Sequence, residues 1–134
     1  MSTTVFIGDE SCATDKVTEA EANCHIARLE GVFMLYFTRS SLARFHFYAA
    51  KNYYESQSAP FFLPYNQWVT IQMQMTQYSG YQIAVLDQQG NVLVNFAKIQ
   101  NMQKQIPKAN LSLYSGLKGY AAEFVLTETA YYLP

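Results

Sequence analysis

The chain is poor in charge. Of its 134 residues only 14% are Asp, Glu, Lys or Arg, and the formal net charge is −1. No run of Lys or Arg occurs, which excludes a basic face tracking a nucleic-acid backbone. No apolar stretch approaches the roughly 18–20 residues of a membrane-spanning helix; Val32–Phe37 is apolar but too short. The first ten residues, Met1–Glu10, show no basic segment leading into a long apolar one, as a secretory leader would. An intracellular location is therefore expected ahead of secretion, which would require a processed form. Cysteine is scarce too: Cys12 and Cys24 are the only two. Neither a C-x-x-C nor a His/Cys cluster of zinc spacing is present. His25 follows Cys24 directly, but neighbours on a strand point opposite ways and share a metal poorly. Buried free thiols are expected first, a Cys12–Cys24 disulfide next, and a metal site last. No metal and no cofactor is expected.

Apolar residues, by contrast, make up half the chain, and aromatics reach 16%, with 11 Tyr and 9 Phe. That composition is far from disorder and favours strands over helices. The length suits one domain with a real core, residues 1–134, of which 1–26 is the least regular part. Tyr joins a broad ring to a polar tip, so many Tyr suit half-wet sheet surfaces or a contact surface. Low charge with abundant Tyr and Gln suits a chain that rests on another surface or is buried in an assembly.

The strongest pattern runs from Trp68 to Ala97. Val69, Ile71, Met73 and Met75 alternate with Trp68, Thr70, Gln72, Gln74 and Thr76, giving one apolar and one mostly polar strand face. Gly80 and then Gly90-Asn91 break the pattern where turns are needed, so three consecutive antiparallel strands are predicted. Earlier, Thr3–Ile7 suits an edge strand, and Gly8–Ser11 a turn. Thr14–Cys24 is the one helix-like segment. Val32–Arg39 is a strand covered on both faces, in a hairpin with Ala43–Ala50. Lys51–Pro60 suits a surface loop, and Phe61–Leu63 a short strand confined by Pro60 and Pro64. Lys98–Lys108 suits a connection. Ala109–Tyr114 and Tyr120–Thr127 are further strands, the first with Leu111 and Leu113 inward, the second with Ala122, Phe124 and Leu126 on one face. Tyr131–Pro134 is an aromatic tail. The sum is all-β: an antiparallel β-sandwich of jelly-roll type, with at most one short helix near the N-terminus.

Gly31-Val-Phe-Met-Leu-Tyr-Phe-Thr-Arg39, Asn66-Gln-Trp68-Val-Thr-Ile71, Ile83-Ala-Val-Leu-Asp87-Gln-Gln-Gly90-Asn91-Val-Leu93 and the closing Ala109-Asn-Leu-Ser-Leu-Tyr-Ser-Gly116 together resemble the concanavalin A-like jelly-roll superfamily, which includes laminin-G-like and galectin-like domains. The resemblance spans residues 27–128 and lies in the order of strands and turns. It implies the sandwich fold. It does not carry the galectin sugar site over to this chain. That site uses His-x-Asn-Pro-Arg and Trp-Gly-x-Glu, whereas here His46 is followed by Phe-Tyr-Ala-Ala and Trp68 by Val-Thr-Ile. A laminin-G-type calcium site needs several acids, and Asp87 is the only one in a matching loop.

Catalytic patterns are sparse. His46 has no nucleophile elbow or spaced carboxylate to work with, and no pair of carboxylates marks a glycoside-cleaving strand. Asn110-Leu-Ser is a glycosylation sequon within a predicted strand. The chain is therefore expected to be no enzyme but a binding or structural interaction module. Its expected contact face is Trp68, Tyr48, Tyr53, Tyr54, Tyr65, Tyr81, Gln72 and Gln74. It would dock a protein partner or a glycan, within a larger assembly or by self-association. The alternative is a small β-barrel carrier of an apolar ligand.

Overall fold

A computed structural model describes residues 1–11, 24–29, 33–39, 43–49, 54–57, 59, 61–76, 80–98, 111–114 and 117–125. Those residues form ten strands and no helix: β1 (Ser2–Ile7), β2 (Cys24–Leu29), β3 (Phe33–Arg39), β4 (Ala43–Ala49), β5 (Tyr54–Gln57), β6 (Trp68–Thr76), β7 (Gly80–Leu86), β8 (Val92–Lys98), β9 (Leu111–Leu113) and β10 (Gly119–Val125). They pair antiparallel throughout, in two five-stranded sheets ordered β10-β1-β6-β7-β8 and β5-β4-β3-β2-β9. Each sheet is a meander, β6–β8 in the first and β2–β5 in the second, completed by strands from the chain's ends. β1 and β10 join the first sheet, and β9 the second. The architecture is an antiparallel β-sandwich.

Alternation explains why these strands sit where they do. Val69, Ile71 and Met73 point inward from β6, and Trp68, Thr70, Gln72 and Gln74 point out. Ile83 and Val85 of β7, opposite Met73 and Ile71, extend the same inner face. The second sheet answers with Ile26, Ala27 and Leu29 of β2 and Phe33, Leu35 and Phe37 of β3, all in one apolar cluster with the first sheet's inner residues. Each of the larger side chains contributes about 1.5–3 kcal/mol by leaving water. β3 is covered on both sides, since Tyr36 on its outer face is also buried.

The structure corrects several boundaries. Thr3–Ile7 is not at an edge, because β10 flanks β1 on one side and β6 on the other. Tyr54–Gln57, expected in a surface loop, is the edge strand β5 on β4. Its polar Tyr-Glu-Ser-Gln is what an edge strand tolerates. Phe61–Leu63 belongs to neither sheet's strand order; Phe61 makes an isolated bridge, and Phe61 and Leu63 are buried while Phe62 is 82% exposed. In β10 the expected inner set of Ala122, Phe124 and Leu126 is broken by a bulge opposite Thr4 and Val5, and Leu126 lies outside the described residues. Phe124 still packs on the core opposite Thr3, but Ala121 takes the place opposite Val5, and Ala122 is the extra residue. Leu111 and Leu113 lie opposite Leu29 and Ala27, as their alternation required, but the edge position leaves Leu111 exposed. The helix-like segment falls outside the described residues except for Cys24, which opens β2. The connection after Lys98, the tail Tyr131–Pro134 and Asn110 of the sequon also lie outside them.

β1 is held at both ends. At its start the buried Thr3 hydroxyl donates to the Glu123 carbonyl at 2.7 Å, which commits its proton, so the Tyr114 hydroxyl at 2.6 Å donates to it. Beyond its end the buried Ser11 hydroxyl donates to the Lys118 carbonyl (2.6 Å) and accepts from the Lys118 N–H (2.8 Å). Gly8 N–H donates to the same carbonyl at 2.8 Å. Asn66, at φ +60°, donates its N–H to the Ile7 carbonyl and accepts from Asp9 N–H through Oδ1. Asn is among the few residues that enter this left-handed region at little cost.

Gly119 is the tightest point of this junction. Its φ is +155°, and a Cβ there would lie 1.8 Å from the Phe6 carbonyl oxygen. Gly90, in the β7–β8 turn, has φ +85° but open space around it. Gly119→Ala should therefore cost roughly 2–4 kcal/mol, and Gly90→Ala about 1 kcal/mol. Urea denaturation of the two variants checks the order; a reversed order would mean that β10 does not approach β1 as described.

Candidate functional site

The sequence-derived contact residues do not form one surface. Trp68, Gln72 and Gln74 share the outer face of the first sheet, Trp68 half-buried and both glutamines exposed. Tyr48 and Tyr54 belong to β4 and β5 of the second sheet, with backbones opposite Glu55 and Ala49. Tyr65 is half-buried and packs against the core. Tyr53 and Cys12 lie outside the described residues, and of Cys24 only its backbone place in β2, opposite Phe37, is described.

Tyr81 is a correction. It is 4% exposed, not part of a contact face. It lies opposite Met75, on the same face as Ile83 and Val85, and its ring meets Phe96 edge-on at 6.4 Å. The Tyr81-x-Ile83-x-Val85 alternation carried this signal. Burial pushes the Tyr81 hydroxyl up to about 12 from an ordinary 10.0. The unfolded chain would release that proton first, so the associated stability is present below about 10 and lost as pH rises towards about 12. Absorbance titration at alkaline pH should show a late tyrosinate that disappears in Tyr81→Phe; an unchanged late component would remove Tyr81 from the core.

Sequence inspection missed two members of the outer face, Phe6 and Tyr120, which only strand pairing brings to Trp68. Phe6 lies opposite both Trp68 and Tyr120. Its ring meets Trp68 at 5.7 Å (interplanar 70°) and Tyr120 at 5.6 Å (61°), both edge-on. Edge-on contact places the positive ring edge against the negative ring face. The result is an aromatic row across three adjacent strands, with Tyr120 71% exposed. The available local signal was Phe6 lying between Val5 and Ile7, both buried.

Beside the row the face turns polar but stays nearly uncharged. The Thr4 and Thr70 hydroxyls bond each other at 3.1 Å. Beyond them a shallow depression of about 470 Å³ is lined by Ser2, Gln72, Gln74, Gln82, Ala84 and Val125, together with Met1 and Met73. Among the described side chains of this face, Glu123, opposite Thr4, is the only charged one. Neutral amides and hydroxyls can each donate and accept, and the one charged group at the depression, the Met1 ammonium, already donates to the Met73 carbonyl at 2.8 Å.

Of the ionisable groups singled out by the sequence, Asp87 and His25 have structural partners, and the His46 side chain lies outside the described residues. Asp87 organises the β7–β8 turn. Its Oδ1 accepts from Gln89 N–H and Asn91 N–H, both at 2.9 Å, and its Oδ2 accepts from Asn91 Nδ2 at 3.1 Å. Desolvation acts to raise its carboxyl, but the hydrogen bonds from Asn91, Gln89 and Gly90 outweigh it and hold the group below its usual range. His25 Nε2 meets Met34 Sδ at 3.1 Å, and the ring lies 5.7 Å from that of Tyr36. Desolvation first, and the Arg28 charge second, lower the His25 pKa and favour a neutral ring. Among the described residues no three His, Cys, Asp or Glu side chains gather to hold a metal, and no helix is long and apolar enough to cross a membrane.

For Asp87 the sign is opposite to that of Tyr81. Its contribution is present above the ordinary carboxylate value and is lost as pH falls through the lowered one. Acid titration by NMR should show the Gln89 and Asn91 amides moving together below the usual Asp range; a midpoint at or above that range would remove the carboxylate from the turn.

No family model, curated protein or solved structure matches the chain.

Proposed function

We propose that this β-sandwich is a non-enzymatic binding module, which docks a protein partner or a glycan through the outer face of the β10-β1-β6-β7-β8 sheet. The observation that carries the reading is the make-up of that face. It joins the Tyr120–Phe6–Trp68 row to a depression edged by Gln72, Gln74 and Gln82. Aromatic anchors beside uncharged hydrogen-bonding groups are the composition of a contact core, where rings supply area and amides supply direction. A solvent-facing sheet with no partner would more often carry interspersed charges.

Kinship with the concanavalin A-like jelly rolls belongs to the same proposal. Its support is that the residues carrying the resemblance fall on β3, β6, the β7–β8 hairpin and β9 in that order. The docking reading is favoured over an apolar-ligand carrier because the two sheets face each other across a core filled by Ile7, Ile26, Leu35, Phe37, Ile71 and Ile83, all fully buried.

The test sets the chain against a glycan array and against proteins of its native source, each repeated with Trp68→Ala and with Gln74→Lys. Both substitutions should weaken the true ligand about tenfold or more. A ligand indifferent to both would place the contact elsewhere and overturn the reading.

A further inference from the structure

We propose that the aromatic row and Glu123 together receive an arginine side chain of a protein partner. The inference rests on the docking face above and narrows the class of partner that it takes.

It begins with the bulge in β10. Tyr120 and Glu123 are three residues apart, so regular alternation would send them to opposite faces. The bulge adds one residue, Ala122, and Tyr120 falls opposite Phe6 while Glu123 falls opposite Thr4. Phe6 and Thr4 both point outward, between the buried Thr3, Val5 and Ile7. The exposed ring and the exposed carboxylate therefore stand on one face, in adjacent rows. Bulges commonly re-aim side chains in this way next to functional sites.

Charge complementarity then selects the occupant. Glu123 is the only charged side chain described on that face, and the Met1 ammonium is engaged by the Met73 carbonyl at 2.8 Å, so the group that complements the carboxylate is a cation. The guanidinium of arginine matches both parts. Its plane can stack on the open Tyr120 ring while its N–H fork bonds the carboxylate with two parallel hydrogen bonds. The ammonium of lysine lacks the plane and the fork, and a neutral glycan would leave the charge unused. Phe6 meets both Tyr120 and Trp68 edge-on, so the row of rings is assembled by the fold itself.

The experiment titrates N-acetyl-arginine-N-methylamide and the citrulline compound of the same shape into the chain, followed by NMR at the Trp68 indole and the Tyr120 ring. The arginine probe should move both signals. Its affinity should fall about threefold in Glu123→Gln and by a similar factor in Tyr120→Leu, as suits exposed ion pairs and exposed cation–π contacts. Both variants change exposed side chains, so an unchanged NMR spectrum elsewhere checks that they fold. Equal response to the two probes, no response to either, or full arginine affinity in Glu123→Gln overturns the inference. A captured partner that is lost with Trp68→Ala but held normally by Glu123→Gln would leave the docking face standing and remove only the arginine.

Discussion

Strand β1 can be paired on both sides only because the chain closes tightly around its far end. The carbonyl of Lys118 accepts from both Ser11 and Gly8, and Gly119 passes so close to Phe6 that no side chain fits between them. That closure holds β10 against β1, and β1 in turn holds β10 to β6. Without it the first sheet would be a three-stranded meander, and the row of rings would have only Trp68. Thr3 does the same work at the other end by absorbing the Glu123 carbonyl and the Tyr114 hydroxyl inside the core. Buried polar groups are costly unless paired, and here Thr3 bonds Tyr114 and Glu123 and Ser11 bonds Lys118, each partner more than 100 positions away. The two hydroxyls therefore specify which strands meet as well as stabilising their meeting.

The sequence carried the local half of this structure well. The β6–β7–β8 meander, its turns at Gly80 and Gly90, and the inward set Val69, Ile71 and Met73 all follow from period-two alternation, a property of neighbouring residues. What it did not carry was sheet order. Nothing near Val5 announces β10 on one side and β6 on the other, because that adjacency depends on Ser11, Lys118 and Gly119 meeting across the fold. The same limit applied to the outer face of the first sheet. Trp68, Gln72 and Gln74 were legible because they alternate with apolar neighbours on one strand. Phe6 and Tyr120 were not, since their membership depends on strand pairing. Tyr81 departs for another reason: its residue type suits a contact surface, but its alternation with Ile83 and Val85 puts it in the core. The polar β5 lacked the alternation that marks a strand, because an edge strand need bury little.

Electrostatics and shape agree about the division of labour in the molecule. The charged groups with resolved roles maintain local geometry, as Asp87 does in its turn. The neutral aromatic and amide groups remain free to face outward. A surface built in this way gains little from long-range attraction, so an encounter with a ligand would depend on fit over a small area. The edge-on packing of Phe6 between Trp68 and Tyr120 lowers the ordering cost of such a fit.

The bulge at Ala122 has a consequence for descent as well as for shape. A regular strand with one residue fewer would keep Tyr120, Ala121, Glu123 and Phe124 on the faces they now occupy. Ala122 is therefore a position that a lineage can gain or lose without exchanging the inside and the outside of the sheet. A relative that lacks it would still place the same ring and the same carboxylate on the same surface.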